Sequence, residues 1–80
     1  MKILSKNVQI DRIGWIKLIV NENGILQIIW INPKSVTNLI YNYEEKSIKI
    51  MMTNNNSYEL ICERDFSDRI NLLERYIIHM

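Results

Sequence analysis

The stretch 13–31 constrains this chain more than any other, because it reads as two apolar runs joined by a short polar turn. The turn is centred on Asn23 and Gly24, and both residue types tolerate the positive φ angles that a type I′ turn requires. A two-residue turn at this point also sets the register of the strands. The predicted pairs are Glu22 with Ile25, Val20 with Gln27, Leu18 with Ile29 and Ile16 with Ile31. The sequence therefore predicts a β-hairpin at the centre of a small antiparallel sheet.

Both strands of this hairpin are apolar on both faces, a pattern typical of strands that are covered on both sides. The first strand divides into Ile16, Leu18 and Val20 on one face and Ile13, Trp15 and Ile19 on the other. A second apolar face of the sheet is then expected. Its predicted members are Trp15, Ile28, Trp30, Leu39 and Met51. Two arrangements would cover this face: partial closure of the sheet into a barrel, or packing against a second copy of the chain.

Turn signals divide the middle of the chain into further strands. Pro33 has no N–H and a fixed φ, so a turn is predicted over 32–35. The three consecutive asparagines at 54–56 indicate a second hairpin turn, because asparagine tolerates the left-handed conformation. The predicted strands around these turns cover 36–41, 47–53 and 57–62. Residues 1–12, before Gly14, alternate loosely and indicate a short lead-in strand or an extended arm.

The last segment changes its apolar period. From Asp65 onward, Phe66, Ile70 and Leu73 recur at spacings of three and four, which predicts an amphipathic helix over about 65–78 with Asp65 or Ser67 as its N-cap. The predicted fold is α+β, and residues 1–80 form a single domain. About five antiparallel strands form a meander over about 8–62, with partial closure into a barrel as the competing arrangement, and the C-terminal helix follows.

Composition narrows the class of function. Hydrophobic residues make up 48% of the 80-residue chain, which is enough for a folded core. Ten Lys plus Arg are balanced by nine Asp plus Glu, so no basic footprint for duplex nucleic acid or for an anionic membrane is present. One cysteine, no signal-like leader in residues 1–10 and no long apolar run lead us to expect a cytoplasmic protein that does not associate with membranes.

The residues that carry chemistry are few. Cys62 and His79 are the only thiol and the only imidazole, and they would form a nucleophile pair if the helix placed them side by side. The simpler interpretation is a core cysteine and a solvated histidine. Glu44 and Glu45 fall in a predicted turn, where adjacent carboxylates are typical of a solvated loop. We therefore expect no enzymatic activity, no catalytic residues, no metal site and no cofactor.

Aromatic side chains indicate binding instead of catalysis. Trp15, Trp30, Tyr41 and Tyr43 are the predicted partner-binding residues, because aromatic patches on sheets are common protein-binding hot spots. We expect a homo-oligomer that also binds an unidentified protein, as an adaptor, a regulator or an inhibitor of the kind that phages and mobile elements encode. Two alternatives remain open. One is stacking of single-stranded nucleic acid on the sheet, and the other is a ligand-sequestering oligomer with polar rims at Arg12, Asn32, Asn38 and Asn42.

A resemblance covers about half of the chain, in the segment from Asn32 onward and the two residues that lead into it. It is carried by four segments: Trp30-Ile31-Asn32-Pro33 leading into Val36, Ser47-Ile48-Lys49-Ile50 with Thr53-Asn54, Ser57-Tyr58, and the helix from Phe66 to Ile77. In these segments the chain resembles the small FlbD/SwrD-type proteins of bacterial flagellar and swarming operons. It departs from them at Asn55, where a glycine is expected, and in its longer N-terminal hairpin. The resemblance implies a strand–turn–strand–helix fold and a non-enzymatic partner role, and it transfers no functional residues.

Overall fold

The computed structural model of the chain describes residues 1–78. Seven strands precede one helix in this part of the chain. They are β1 (Lys2–Leu4), β2 (Val8–Ile10), β3 (Ile16–Glu22), β4 (Ile25–Ile31), β5 (Val36–Asn42), β6 (Ser47–Met52), β7 (Ser57–Ile61) and α1 (Phe66–Ile77). Two single turns of 3-10 helix, Ser5–Asn7 and Pro33–Ser35, connect β1 to β2 and β4 to β5.

The strands form two sheets, and the predicted meander of about five antiparallel strands is approximately consistent with this arrangement. One sheet has the order β1-β7-β6-β5 and the other has the order β2-β3-β4. Within the described residues both sheets are open, so the predicted partial barrel is wrong. The α+β class is confirmed, and so are the consecutive antiparallel pairings β3–β4, β5–β6 and β6–β7.

The central hairpin has the predicted register. Glu22 pairs with Ile25, and the ladder continues residue by residue to the pair of Ile16 with Ile31. Asn23 and Gly24 have φ angles of 55° and 80°, as a type I′ turn requires. The second predicted turn is also confirmed, because Asn55 has a φ of 68° and the Asn56 N–H donates to the side-chain oxygen of Asn54 at 3.1 Å.

Two features of the topology escape the sequence patterns. β1 has only three residues and pairs in parallel with β7, where Ile3 lies opposite Leu60. The chain also changes sheets after β4. Asn32 accepts a hydrogen bond from the Lys34 N–H at 3.0 Å and begins the 3-10 turn at Pro33, which directs β5 into the four-stranded sheet. β4 is therefore an edge strand, and no β4–β5 pairing forms in the described ladders.

The core lies between the inner faces of the two sheets and one side of α1. Its fully buried members include Leu18 from β3, Ile50 from β6 and Leu73 from α1. Strand alternation produces this core, because Ile16, Leu18 and Val20 all point inward from β3. Leu39 also packs against the core, and Met51 pairs with Asn38 in the other sheet. The sequence predicted that Leu39 and Met51 share the second apolar face with Trp15, Ile28 and Trp30. That grouping is therefore wrong for Leu39 and Met51.

The helix begins and ends close to the predicted bounds. Asp65 occupies the N-cap position, but its side chain makes no capping hydrogen bond. The carboxylate instead lies 2.8 Å from the Ser5 hydroxyl and 3.2 Å from the Arg69 guanidinium. Arg69 also donates to the Ser5 carbonyl at 2.9 Å. This polar cluster connects the N-terminal 3-10 turn to the first turns of α1, and it was not anticipated from the sequence.

Candidate functional site

The outer face of the β2-β3-β4 sheet is apolar and open to solvent. Strand alternation places Ile19, Leu26, Ile28 and Trp30 on this side, and we refer to these four residues as the apolar face. Leu26 is 62% exposed, Ile28 is 50% exposed and Trp30 is 49% exposed. Ile19 lies directly opposite Ile28, so the exposed side chains adjoin one another. A cluster of this kind differs from single exposed apolar residues, which are common on any protein surface.

One cation borders the apolar face. Lys17 is the cross-strand neighbour of Trp30, and its ammonium nitrogen lies 5.5 Å from the centre of the indole ring. A lysine in this position is attracted by the electron-rich face of the ring. The other polar positions on this side of the described strands, Gln9 and Asn21, are neutral. The surface therefore combines apolar contact area with very little charge.

The four predicted binding residues do not form one surface in the structure. Trp30 lies on the apolar face, whereas Trp15 precedes β3, and its backbone N–H donates a hydrogen bond to the Asp11 carboxylate at 2.8 Å. Tyr41 belongs to the other sheet, and Tyr43 lies in the loop after it. These two rings contact edge to face, with centres 6.4 Å apart. The predicted set is thus divided between the two sheets.

Tyr41 and Tyr43 both contact the helix. The Tyr41 hydroxyl donates to the Glu74 carboxylate on α1 at 2.7 Å. Burial, then the hydrogen bond to Glu74 and the negative charge of that residue, raises the pKa of Tyr41 above its ordinary value. Tyr41 therefore remains a neutral donor that joins β5 to the helix. Tyr43 is 72% exposed, and its ring lies 5.4 Å from that of Phe66, so it covers the start of α1.

The polar cluster of Ser5, Asp65 and Arg69 borders a cleft of about 220 Å³. The cleft is lined by Leu4, Ser5, Lys6, Ile61, Glu63, Arg64 and Asp65. The Asp65 carboxylate is already engaged by the Ser5 hydroxyl and by Arg69. These bonds hold the N-terminal segment against α1, so a role in stabilising the fold is enough to explain the cluster.

Cys62 is a core residue. Its side chain is 1% exposed, and burial followed by the negative charge of Asp65 raises the pKa of the thiol. A buried neutral thiol is a poor nucleophile, since the thiolate is the reactive form. The second member of the Cys62–His79 pair that the sequence raised, His79, lies outside the described residues. Among residues 1–78, no three His, Cys, Asp or Glu side chains are grouped as metal ligands would be.

Comparisons with protein families, with curated proteins and with solved structures found no match to this chain. The resemblance to FlbD/SwrD-type proteins therefore remains a prediction. The helix within residues 1–78 is too short to cross a membrane.

Proposed function

We propose that this protein is a non-enzymatic protein-binding module that acts through the apolar face, as an adaptor, a regulator or an inhibitor. The observation that supports the proposal is the exposure of Leu26, Ile28 and Trp30, which are 49–62% exposed on one side of one sheet. Contiguous apolar surface on a folded domain is costly to hydrate, and it typically marks a surface that a partner covers.

The chemistry of the apolar face defines the partner. Trp30 offers a large flat ring at the border of the patch, and buried tryptophans are frequent hot spots of protein interfaces. The single cation, Lys17, is already placed over that ring. The partner is therefore a protein surface with exposed aliphatic or aromatic side chains. We place this interaction in the cytoplasm, where a single buried cysteine fits the reducing environment.

Single-stranded nucleic acid is a weaker candidate for the same face. Stacking of bases on Trp30 would need several cations to follow the phosphate backbone. Lys17 is the one cation on this side of the described strands. The two candidates differ in their salt dependence, because release of counterions makes nucleic-acid binding fall steeply with ionic strength.

The test compares two exposed aromatic residues at different sites. Tagged wild-type protein, Trp30→Ser and Tyr43→Ser are incubated with cell extract at low salt and at about 1 M salt, where the Debye length is about 3 Å. We expect the wild type and Tyr43→Ser to retain the same protein at both salt concentrations, and Trp30→Ser to lose it. The retained protein is then purified, and its affinity for the wild type and for each of the two variants is measured by calorimetry.

Two results would contradict the proposal. One is equal affinity of the purified partner for wild type and Trp30→Ser. The other is binding of a labelled single-stranded oligonucleotide that weakens steeply with salt and is lost in Trp30→Ser, since this would assign the face to nucleic acid.

A further inference from the structure

The described part of the chain has four edge strands, and β4 differs from the others. β1 and β2 have three residues each, which leaves little backbone for pairing. β5 has a register irregularity between Val36 and Asn38, and such a bulge interrupts an edge. β4 has seven residues in regular pairing, and its sequence, Ile-Leu-Gln-Ile-Ile-Trp-Ile, contains no charge and no proline. It lacks the devices that proteins use to keep a sheet edge from pairing.

The hairpin register shows which backbone groups of β4 are free. In a two-residue hairpin, the residues that flank the turn bond to each other, and the bonded positions then alternate along the strand. Because Glu22 pairs with Ile25, the odd-numbered residues of β4 direct their N–H and C=O groups towards β3. Leu26, Ile28 and Trp30 therefore direct theirs to the open edge.

These free groups match a second copy of themselves. If two β4 strands run antiparallel about a two-fold axis at Ile28, Ile28 faces the second copy's Ile28 and Leu26 faces its Trp30. All the facing residues then direct their N–H and C=O groups at each other, giving about six intermolecular hydrogen bonds. A shift of one residue would place free groups against engaged ones, and a shift of two would lose a pair. The centred register is therefore the best one available.

We propose that β4 pairs with β4 of a second copy of this chain, across a two-fold axis at Ile28. The occupant of the edge is thus the chain itself, and two three-stranded sheets become one six-stranded sheet. This pairing rests on the proposed function, in which a partner protein covers the apolar face. Edge pairing uses only the backbone groups of β4, so it leaves the apolar face free for that partner. It places the Leu26, Ile28 and Trp30 side chains of both copies side by side, on one continuous surface of twice the size.

The strength of the pairing follows from its size. Contact between two edges buries less surface than the about 800 Å² per partner of a standard protein interface. We therefore expect a dissociation constant of ~1 μM or weaker, and a mass that rises with concentration. A partner bound across the joined faces would stabilise the pair, because it would contact both copies.

The first test is a cross-link at the two-fold axis. Directly paired bonded residues of antiparallel strands have Cα atoms about 5.5 Å apart, within the range that a disulfide spans. Ile28→Cys should form a covalent dimer under mild oxidation. The matched control is Ile40→Cys in edge strand β5, because Ile40 is 51% exposed and Ile28 is 50% exposed. Wild-type protein, whose only thiol is the buried Cys62, should stay monomeric on a non-reducing gel.

The second test uses opposite charges. Ile28→Glu and Ile28→Lys should each be monomeric by light scattering, because like charges would face each other on the axis. An equal mixture of the two variants should recover the dimer mass. Recovery in the mixture cannot be explained by misfolding of either variant.

Two outcomes would overturn the edge pairing. One is a wild type that stays monomeric up to roughly 1 mM, where even a millimolar association would be visible. The other is equal cross-linking of Ile28→Cys and Ile40→Cys. Neither outcome would contradict the proposed function, which fails on the separate finding that Trp30→Ser binds the partner as well as wild type does.

Discussion

The two sheets of this protein share one core but present different outer faces. The four-stranded sheet has a row of charged side chains, in which Lys2 lies opposite Glu59 and Glu59 lies opposite Lys49, and the row ends at the exposed Ile40 of β5. The Lys2 ammonium is 3.9 Å from the Glu59 carboxylate. The three-stranded sheet has Ile19, Ile28 and Trp30 in equivalent outward positions. The outer face of the three-stranded sheet therefore carries fewer charges and more adjoining exposed apolar side chains, and this difference supports the proposed binding role of the apolar face.

The largest expected effect separates the inner and outer faces of the hairpin. Leu18→Ala should lower the free energy of unfolding by about 2–5 kcal/mol, because Leu18 is fully buried between the sheets. Ile28→Ala, on the opposite face, should change it by less than about 0.5 kcal/mol at low protein concentration. Urea denaturation of both variants measures the difference. Equal losses would show that the apolar face belongs to the core.

A smaller effect is expected at the polar cluster, which connects the four-stranded sheet's N-terminal strand to the helix. Asp65→Ala removes the acceptor of the Ser5 hydroxyl and the partner of Arg69, so it should cost about 1–3 kcal/mol. Asp68→Ala is the matched control, because Asp68 is exposed in the same helical turn and should cost less than about 1 kcal/mol. Thermal or urea unfolding measures both. If the two variants lose the same stability, the cluster contributes nothing beyond the helix dipole.

The next prediction concerns pH and the core beneath the four-stranded sheet. Burial raises the pKa of Cys62 in the folded protein above its value of about 8.5 in an unfolded chain. As pH rises, the Cys62 thiol therefore ionises in the unfolded chain at a lower pH than in the folded protein. The free energy of unfolding falls as pH rises above about 8.5, by at most about 1.4 kcal/mol per pH unit.

The control for this pH dependence is Cys62→Ala. Its stability should fall less than that of wild type between pH about 8.5 and 9.5, an interval below the ordinary tyrosine pKa of about 10. Parallel curves for the two proteins would contradict burial of a neutral thiol. Both are measured by urea denaturation at each pH.

The smallest effect is expected on the charged outer face. Lys2→Ala removes an ion pair whose lysine side chain is 78% exposed, so the loss should be a few tenths of a kcal/mol. Added salt should reduce even this difference, because surface charges are screened. A loss above about 1 kcal/mol would mean that this face stabilises the fold.

The local parts of the fold were predictable because their signals are local. Asn23-Gly24 determined the hairpin register, the asparagine run produced the second turn, and the change of period at Asp65 marked the helix. The parallel pairing of β1 with β7 was not predictable, since three residues contain no period and the partner is distant in sequence. Pro33 indicated a turn but not that the turn leads into another sheet.

The candidate site was predictable only in part, for a related reason. Trp30 was identified because the hairpin is apolar on both faces. Tyr41 was grouped with it because a single meander would have placed both on one surface. Its hydrogen bond to Glu74 depends on the position of α1 against β5, and no pattern within either element encodes that position.

The most direct test of self-pairing through the β2-β3-β4 sheet is amide hydrogen exchange along β4 at increasing protein concentration. In one copy, the odd-numbered residues of β4 bond to β3, whereas the N–H groups of Leu26, Ile28 and Trp30 face solvent. We expect these three amides to exchange rapidly in dilute solution and slowly in concentrated solution, with no such change along β5. Rapid exchange of all three at every concentration would contradict pairing of the β4 edge, and slowing along β5 instead would place the self-association on the other sheet.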